Sequence, residues 1–156
     1  MEVRLNGTGY SYALPEEWQD FTSTVADTAS PAADTVTGSS EVLQGASALL
    51  IVRRTPVKDS TDLKAARAAI RVALREDFNT ELDGPIANTP ARKIGGEQAF
   101  GLTVRLAVRD DVQISATYWV VRVGGTVYQL EAVTRADPAQ SMKNFQAIYD
   151  SWEWEE

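Results

Sequence analysis

Between residues 99 and 134, apolar side chains alternate with small or polar ones, and two-residue turn signals interrupt the alternation at Asp110-Asp111 and Gly124-Gly125. A period of two sends successive side chains to opposite faces of a strand. Gly-Gly supplies the positive φ angles that tight hairpins need. Three strands in sequence, joined by short turns, make an antiparallel meander. The same period starts upstream, near Arg92, with a further turn at Gly95-Gly96. This stretch excludes an all-helical chain and a parallel βαβ core, and the apolar face of the sheet demands a cover.

The turns fix partners. Gly124-Gly125 pairs 123 with 126, 121 with 128, 119 with 130 and 117 with 132. Asp110-Asp111, read as an equally tight turn, pairs 104 with 117, 102 with 119 and 100 with 121. One face then carries Phe100, Leu102, Val104, Trp119, Val121, Tyr128 and Leu130. At roughly 25 cal/mol per Å2 of apolar burial, this is the expected core face. The other carries Thr103, Arg105, Ala116, Tyr118, Val120, Gln129 and Glu131. A one-residue slip at the Asp-Asp turn would mix the two sets.

Other elements follow from local chemistry. Tyr10, Tyr12 and Leu14 alternate with Ser11 and Ala13 as in a half-buried strand. Pro15 suits the start of a short helical turn, after which Trp18 and Phe21 fold back on the sheet. Residues 23 to 40 read as a long polar loop or a pair of weak strands. Ala48-Leu49-Leu50-Ile51-Val52 is a strand covered on both faces and ended by Pro56. Asp59-Ser60-Thr61-Asp62 offers N-caps for a helix over residues 61–82, with Leu63, Ala66, Ile70, Leu74, Phe78 and Leu82 at helical spacing. A loop through Pro90 follows. Asp137-Pro138 opens a second helix over 138–150, with Met142, Phe145 and Tyr149 on one face and Ile148 beside them. Residues 151–154 alternate as an extended end, and Trp152 continues the apolar pattern into the core. The expected architecture is α+β: one domain over residues 1–156, an α/β/α sandwich with a single antiparallel sheet of about six to seven strands flanked by helices.

The 156 residues include no Cys and no His. Disulfides, thiolate zinc sites, iron–sulfur clusters, cysteine nucleophiles and Ser-His-Asp triads are thereby excluded, and no cofactor or metal is expected. No run reaches the ~20 apolar residues that span a bilayer, and Met1–Gly7 lack the apolar centre of a signal peptide. The chain as written is expected in the cytoplasm; the alternative is an exported or lipoprotein domain with its signal removed. A net charge of −7 makes nucleic acid a poor partner. The charge is uneven. Residues 53 to 75 hold seven basic groups and two acidic ones, against eight basic and twenty acidic in the remainder.

Two candidate sites emerge. Arg105, Tyr118, Gln129 and Glu131 occupy the mixed sheet face, with Tyr118 directly across from Glu131. They could floor a pocket that orients a polar ligand, or be the half-covered polar side of a sheet. Lys64, Arg67, Arg71 and Arg75 recur every three or four residues and share one helix stripe, a surface for an anionic partner or a solvated helix face. The adjacent carboxylates Glu16-Glu17, Asp110-Asp111 and Glu155-Glu156 read as solvated turns or termini, and Asp110-Asp111 lacks the spaced ligands of a calcium loop. Gly95-Gly96 with Gly101 has the wrong spacing for a dinucleotide loop.

The aromatic–Leu14-Pro15-x-x-Trp18 opening, the Gly124-Gly125-x-Val127-Tyr128-x-Leu130 hairpin and the Phe145-x-x-Ile148-x-x-Ser151-Trp152 close together resemble the PsbP-like superfamily. That superfamily includes the extrinsic P protein of photosystem II, the Ran-binding Mog proteins and actinobacterial lipoproteins of the LpqN type. The resemblance is greatest to the LpqN type, and the Ala-, Arg- and Asp-rich composition suits an actinobacterial source. It implies an α/β/α sandwich, an accessory, binding or scaffold role and no shared catalytic motif. The lipid-bearing cysteine of the lipoproteins is absent. The expected function is noncatalytic binding of a protein partner or a small amphipathic ligand. The alternatives are a secretion-associated adaptor or chaperone, and a hydrolase-like enzyme working with Asp, Glu, Ser or Tyr.

Overall fold

The meander lies in the middle of a larger antiparallel sheet. A computed structural model describes residues 3–22, 33–39, 48–56, 62–109, 112–135 and 138–155. Its strands are β1 (Val3–Asn6), β2 (Tyr10–Leu14), β3 (Trp18–Asp20), β4 (Thr35–Ser39), β5 (Ala48–Pro56), β6 (Ala87–Ile94), β7 (Glu97–Arg109), β8 (Val112–Val123), β9 (Thr126–Arg135) and β10 (Glu153–Trp154). Its helices are α1 (Leu63–Asp77) and α2 (Pro138–Ser151). Seven strands form the main sheet in the order β3-β4-β5-β9-β8-β7-β6. Residues 23–32, 40–47 and 57–61, with Asp110-Asp111 and Asp137, lie outside the described residues, and so do the loop, N-cap and turn expectations placed on them.

The β8–β9 pairing is the one the Gly124-Gly125 turn dictates, with Val121 opposite Tyr128 and Trp119 opposite Leu130. The β7–β8 pairing is not the one expected. Arg109 faces Val112, as a tight turn requires, but the register then shifts, and Ala107 faces Gln113 and Leu102 faces Tyr118. The shift at Val108 is a β-bulge, which turns over every side chain upstream of it in β7. The predicted core face is corrected accordingly. Phe100, Leu102 and Val104 share a face with Tyr118 and Val120, whereas Ala99, Gly101, Thr103 and Arg105 share one with Trp119 and Val121. Gly101 is needed on that second face: a Cβ there would stand 2.7 Å from the indole of Trp119.

α1 is shorter than the predicted 61–82. Asp62 caps its start, accepting from the Lys64 N–H, and the Phe78 N–H closes its end on the Leu74 carbonyl. The chain then leaves the helix because residues 81–83 pair with β7: Leu82 bridges Leu106, and the Asp83 N–H donates to the Arg105 carbonyl. β6 replaces part of the expected loop as an edge strand, and its irregularity between Thr89 and Arg92 accommodates Pro90. Pro15 precedes a turn at Glu16-Glu17, with Glu17 at φ 70°, and not a helical turn.

α1 and α2 cover opposite faces of the main sheet. The expected single sheet holds for the meander and both helices. The terminal strands, however, build a second sheet, β1-β2-β10, on the α2 side. The main core lies between the sheets. Trp152 is 3% exposed and stacks across both Tyr10 and Tyr12, with ring centroids 5.0 and 4.8 Å away. Leu50, Val52, Val121, Leu130 and Ile148 complete it. The Tyr12 and Thr37 hydroxyls bond at 2.7 Å, and Tyr10 donates to Asp34 at 2.7 Å.

Candidate functional site

The bulge at Val108 divides the four residues of the candidate ligand face. Tyr118, Gln129 and Glu131 lie together under α1, whereas Arg105 pairs with Ser115 on the α2 side and is exposed. The three that remain together floor an open cleft of about 610 Å3 between α1 and the sheet. Its helix wall combines the small residues Ala66, Ala69 and Ala73 with Ile70, Leu74 and Phe78, and Val120 and Val127 form the sheet side. Alanine at these positions keeps the helix intact but leaves the interface unfilled.

The polar end is a compact network. Arg53, brought in by β5 opposite Gln129, donates to Glu131 at 2.9 Å; the two side chains are 14% and 18% exposed. Tyr118 stands directly across from Glu131 on the neighbouring strand. Burial first, and the Glu131 charge second, hold the Tyr118 phenol well above its ordinary range. It therefore stays a hydrogen-bond donor at neutral pH. The site can present a cation, a carboxylate, a phenol and an amide at one end of an apolar trough. Among the described residues, no group of three or more acidic side chains is gathered to hold a metal ion.

The basic stripe is placed on the flank of α1 and is partly engaged. Lys64 and Arg67 each lie 5.7 Å from the centre of the Phe100 ring. Arg71 donates to the Ile86 carbonyl and to Asn88, tying the helix to the start of β6. Lys64 and Arg75 are exposed, and Arg67 and Arg71 are half-buried. Arg53, first noticed only as part of the basic run, is the residue the sequence reading left out of the ligand face. Its register against Gln129 could have been traced only by placing β5 beside β9.

No family model matches the chain, and no curated protein matches it by sequence. Solved structures do match. The cyanobacterial PsbP protein CyanoP of Synechocystis superposes with a TM-score of 0.71 at 18% identity, over 98% of this chain and 92% of that one. The fold is PsbP-like. LpqN of Mycobacterium tuberculosis, a protein involved in cell envelope biogenesis, has the same PsbP-like arrangement at a TM-score of 0.64 and 13% identity, over 100% and 91% of the chains. The Ran-binding protein Mog1p of Saccharomyces cerevisiae matches at 0.60 and 15%, over 99% and 94%. At these identities the PsbP-like likeness is one of fold. Among the described residues, no helix is long and apolar enough to cross a membrane.

Proposed function

We propose that this chain is a noncatalytic binding domain that takes a small amphipathic ligand in the cleft under α1. The observation that carries the reading is an apolar trough of about 610 Å3 ending in the Arg53–Glu131–Tyr118 network. Pockets of this volume, mostly apolar with a few convergent polar groups, suit small ligands. The apolar body of the ligand lies along Ala66, Ala69 and Val120, and its polar head meets Arg53 and Gln129. A noncatalytic role is supported by the state of the polar groups: Tyr118 holds its proton, and Glu131 is paired with Arg53.

A thermal-shift screen of amphipathic acids, amides and alcohols tests this. A ligand at 100 times its Kd stabilises by ~2.7 kcal/mol. Ala69→Trp, at an exposed helix position lining the trough, should abolish the shift while the far-ultraviolet circular dichroism spectrum is kept. Hits that bind Ala69→Trp as well as they bind the wild type would place the ligand elsewhere and overturn the reading.

A second reading, a protein partner recruited through Lys64, Arg67, Arg71 and Arg75, is favoured by the exposed Lys64 and Arg75 and by the fold shared with a Ran-binding protein. It predicts partner capture that weakens with added salt and on Lys64→Glu/Arg75→Glu reversal.

A further inference from the structure

The α2 side of the main sheet is closed by aromatic rings at one end only. Toward the other end the floor changes from Trp119 and Val121 to hydroxyl side chains: Thr103 on β7, Ser115 and Thr117 on β8, and Thr134 on β9. Thr89 on β6 joins them. The Thr89 and Thr103 hydroxyls bond at 2.6 Å, and those of Thr103 and Thr117 at 3.3 Å, so a ladder of hydroxyls crosses three strands. Among the described residues, Ser115 and Thr134 add two hydroxyls with no side-chain hydrogen bond. These five residues floor a separate cleft of about 360 Å3, roofed by Met142, Phe145 and Tyr149 of α2.

Its charge pattern is as informative as its hydroxyls. The nearest ionised group, Arg92, is already committed. Its guanidinium lies 4.9 Å above the Tyr149 ring and donates to Gln146 at 2.9 Å and to Asp150 at 3.3 Å. That latch joins β6 to α2, and among the described residues Arg92 is the one ionised side chain in the lining. A charged guest would lose its hydration there, at a cost of several kcal/mol, against a single guanidinium whose charge is already shared with Asp150. A purely apolar guest would strand the Ser115 and Thr134 hydroxyls. A guest with hydroxyls on one side and C–H groups on the other satisfies both surfaces.

We propose that this cleft is a second binding site, taking a neutral saccharide unit whose hydroxyls meet the Thr103–Thr117 ladder and whose C–H face packs under Phe145 and Met142. The site is independent of the α1 cleft, since the sheet stands between them.

The test is titration of the full chain with the methyl glycosides of glucose, galactose, mannose and arabinose. Trp119 fluorescence and isothermal calorimetry are the readouts, with cyclohexanol as the apolar control and glucuronate as the charged one. At least one neutral glycoside should saturate with a Kd below about 5 mM and at least tenfold below those of both controls. Thr117→Val, close to isosteric, should weaken that binding tenfold or more without moving the melting temperature of the free protein. Should Thr117→Val fail to fold, Ser115→Ala gives the same reading through a half-exposed hydroxyl. The proposal falls if no neutral glycoside saturates, if cyclohexanol or glucuronate binds as well, or if the folded variant keeps wild-type affinity.

Discussion

The two faces of the seven-stranded sheet are made by the same strands and are opposite in character. Among the described residues the α2 face packs eighteen buried ones, including Tyr10, Tyr12 and Trp152 in one aromatic stack, and is sealed by a second sheet. The α1 face packs seven, nearly all aliphatic, beneath a helix whose inner residues are alanines with Ile70, Leu74 and the terminal Phe78. Large rings interlocked at stacking distance leave no freedom. A methyl-lined helix on a flat sheet leaves a trough. Cohesion is thus concentrated on one side, and the side given to ligand contact can stay underfilled without endangering the fold. The hydroxyl-floored cleft repeats the lesson within the α2 face, opening where rings give way to Thr and Ser.

The largest effect expected of a single change tests the closed face. Trp152→Ala should cost about 3–5 kcal/mol in urea unfolding, against roughly 1–2 kcal/mol for the half-buried Phe78→Ala under α1. Equal losses would erase the distinction. The same enlargement on both faces sharpens it. Ala99→Leu, at a fully buried position, should destabilise by about 1–3 kcal/mol. Ala66→Leu, facing the trough, should stay within about 0.5 kcal/mol of wild type and occlude ligand.

Alkaline pH probes the same asymmetry. Burial raises the phenols of Tyr10, Tyr12 and Tyr149 on the α2 face far above their ordinary value near 10. A raised folded value means that these groups ionise first in the unfolded chain, so their stabilisation is complete below pH 10 and is lost as pH rises above it. Each tyrosine should remove about 1.4 kcal/mol in all between pH 9 and 11, and Tyr12→Phe should lessen the loss of unfolding free energy over that range by the same amount. Along the stripe the contrast is smaller. Arg71→Ala should cost about 1–2 kcal/mol through its lost bonds to Ile86 and Asn88, whereas Arg75→Ala should change the unfolding free energy by less than about 0.5 kcal/mol.

The sequence made the β8–β9 hairpin legible because Gly124-Gly125 admits one register, and it made the helices legible through their period. It concealed the β7 faces because a bulge leaves no mark in an alternating pattern. Val108 continues the alternation yet stands outside the pairing, and reading across it moved Arg105 into a site where it does not belong and Leu102 into the wrong core. The same misreading hid the hydroxyl ladder, since Thr103 was counted with Tyr118 and not with Thr117. The second sheet was hidden for another reason: β1 and β10 have four and two residues, too few for a period to show.

The stacking of Trp152 across Tyr10 and Tyr12 has a bearing on the order of synthesis. Both rings leave the ribosome among the first residues of this chain, and Trp152 is added only after the meander and α2 have been made. Until then β2 lacks β10, and two large rings that will be fully buried lack the indole that stacks across them. The meander, whose contacts are local in sequence, can pair while the chain is still growing. The closed face can be completed only when this indole emerges, so a nascent chain stopped before Trp152 presents aromatic surface to whatever waits outside the exit tunnel.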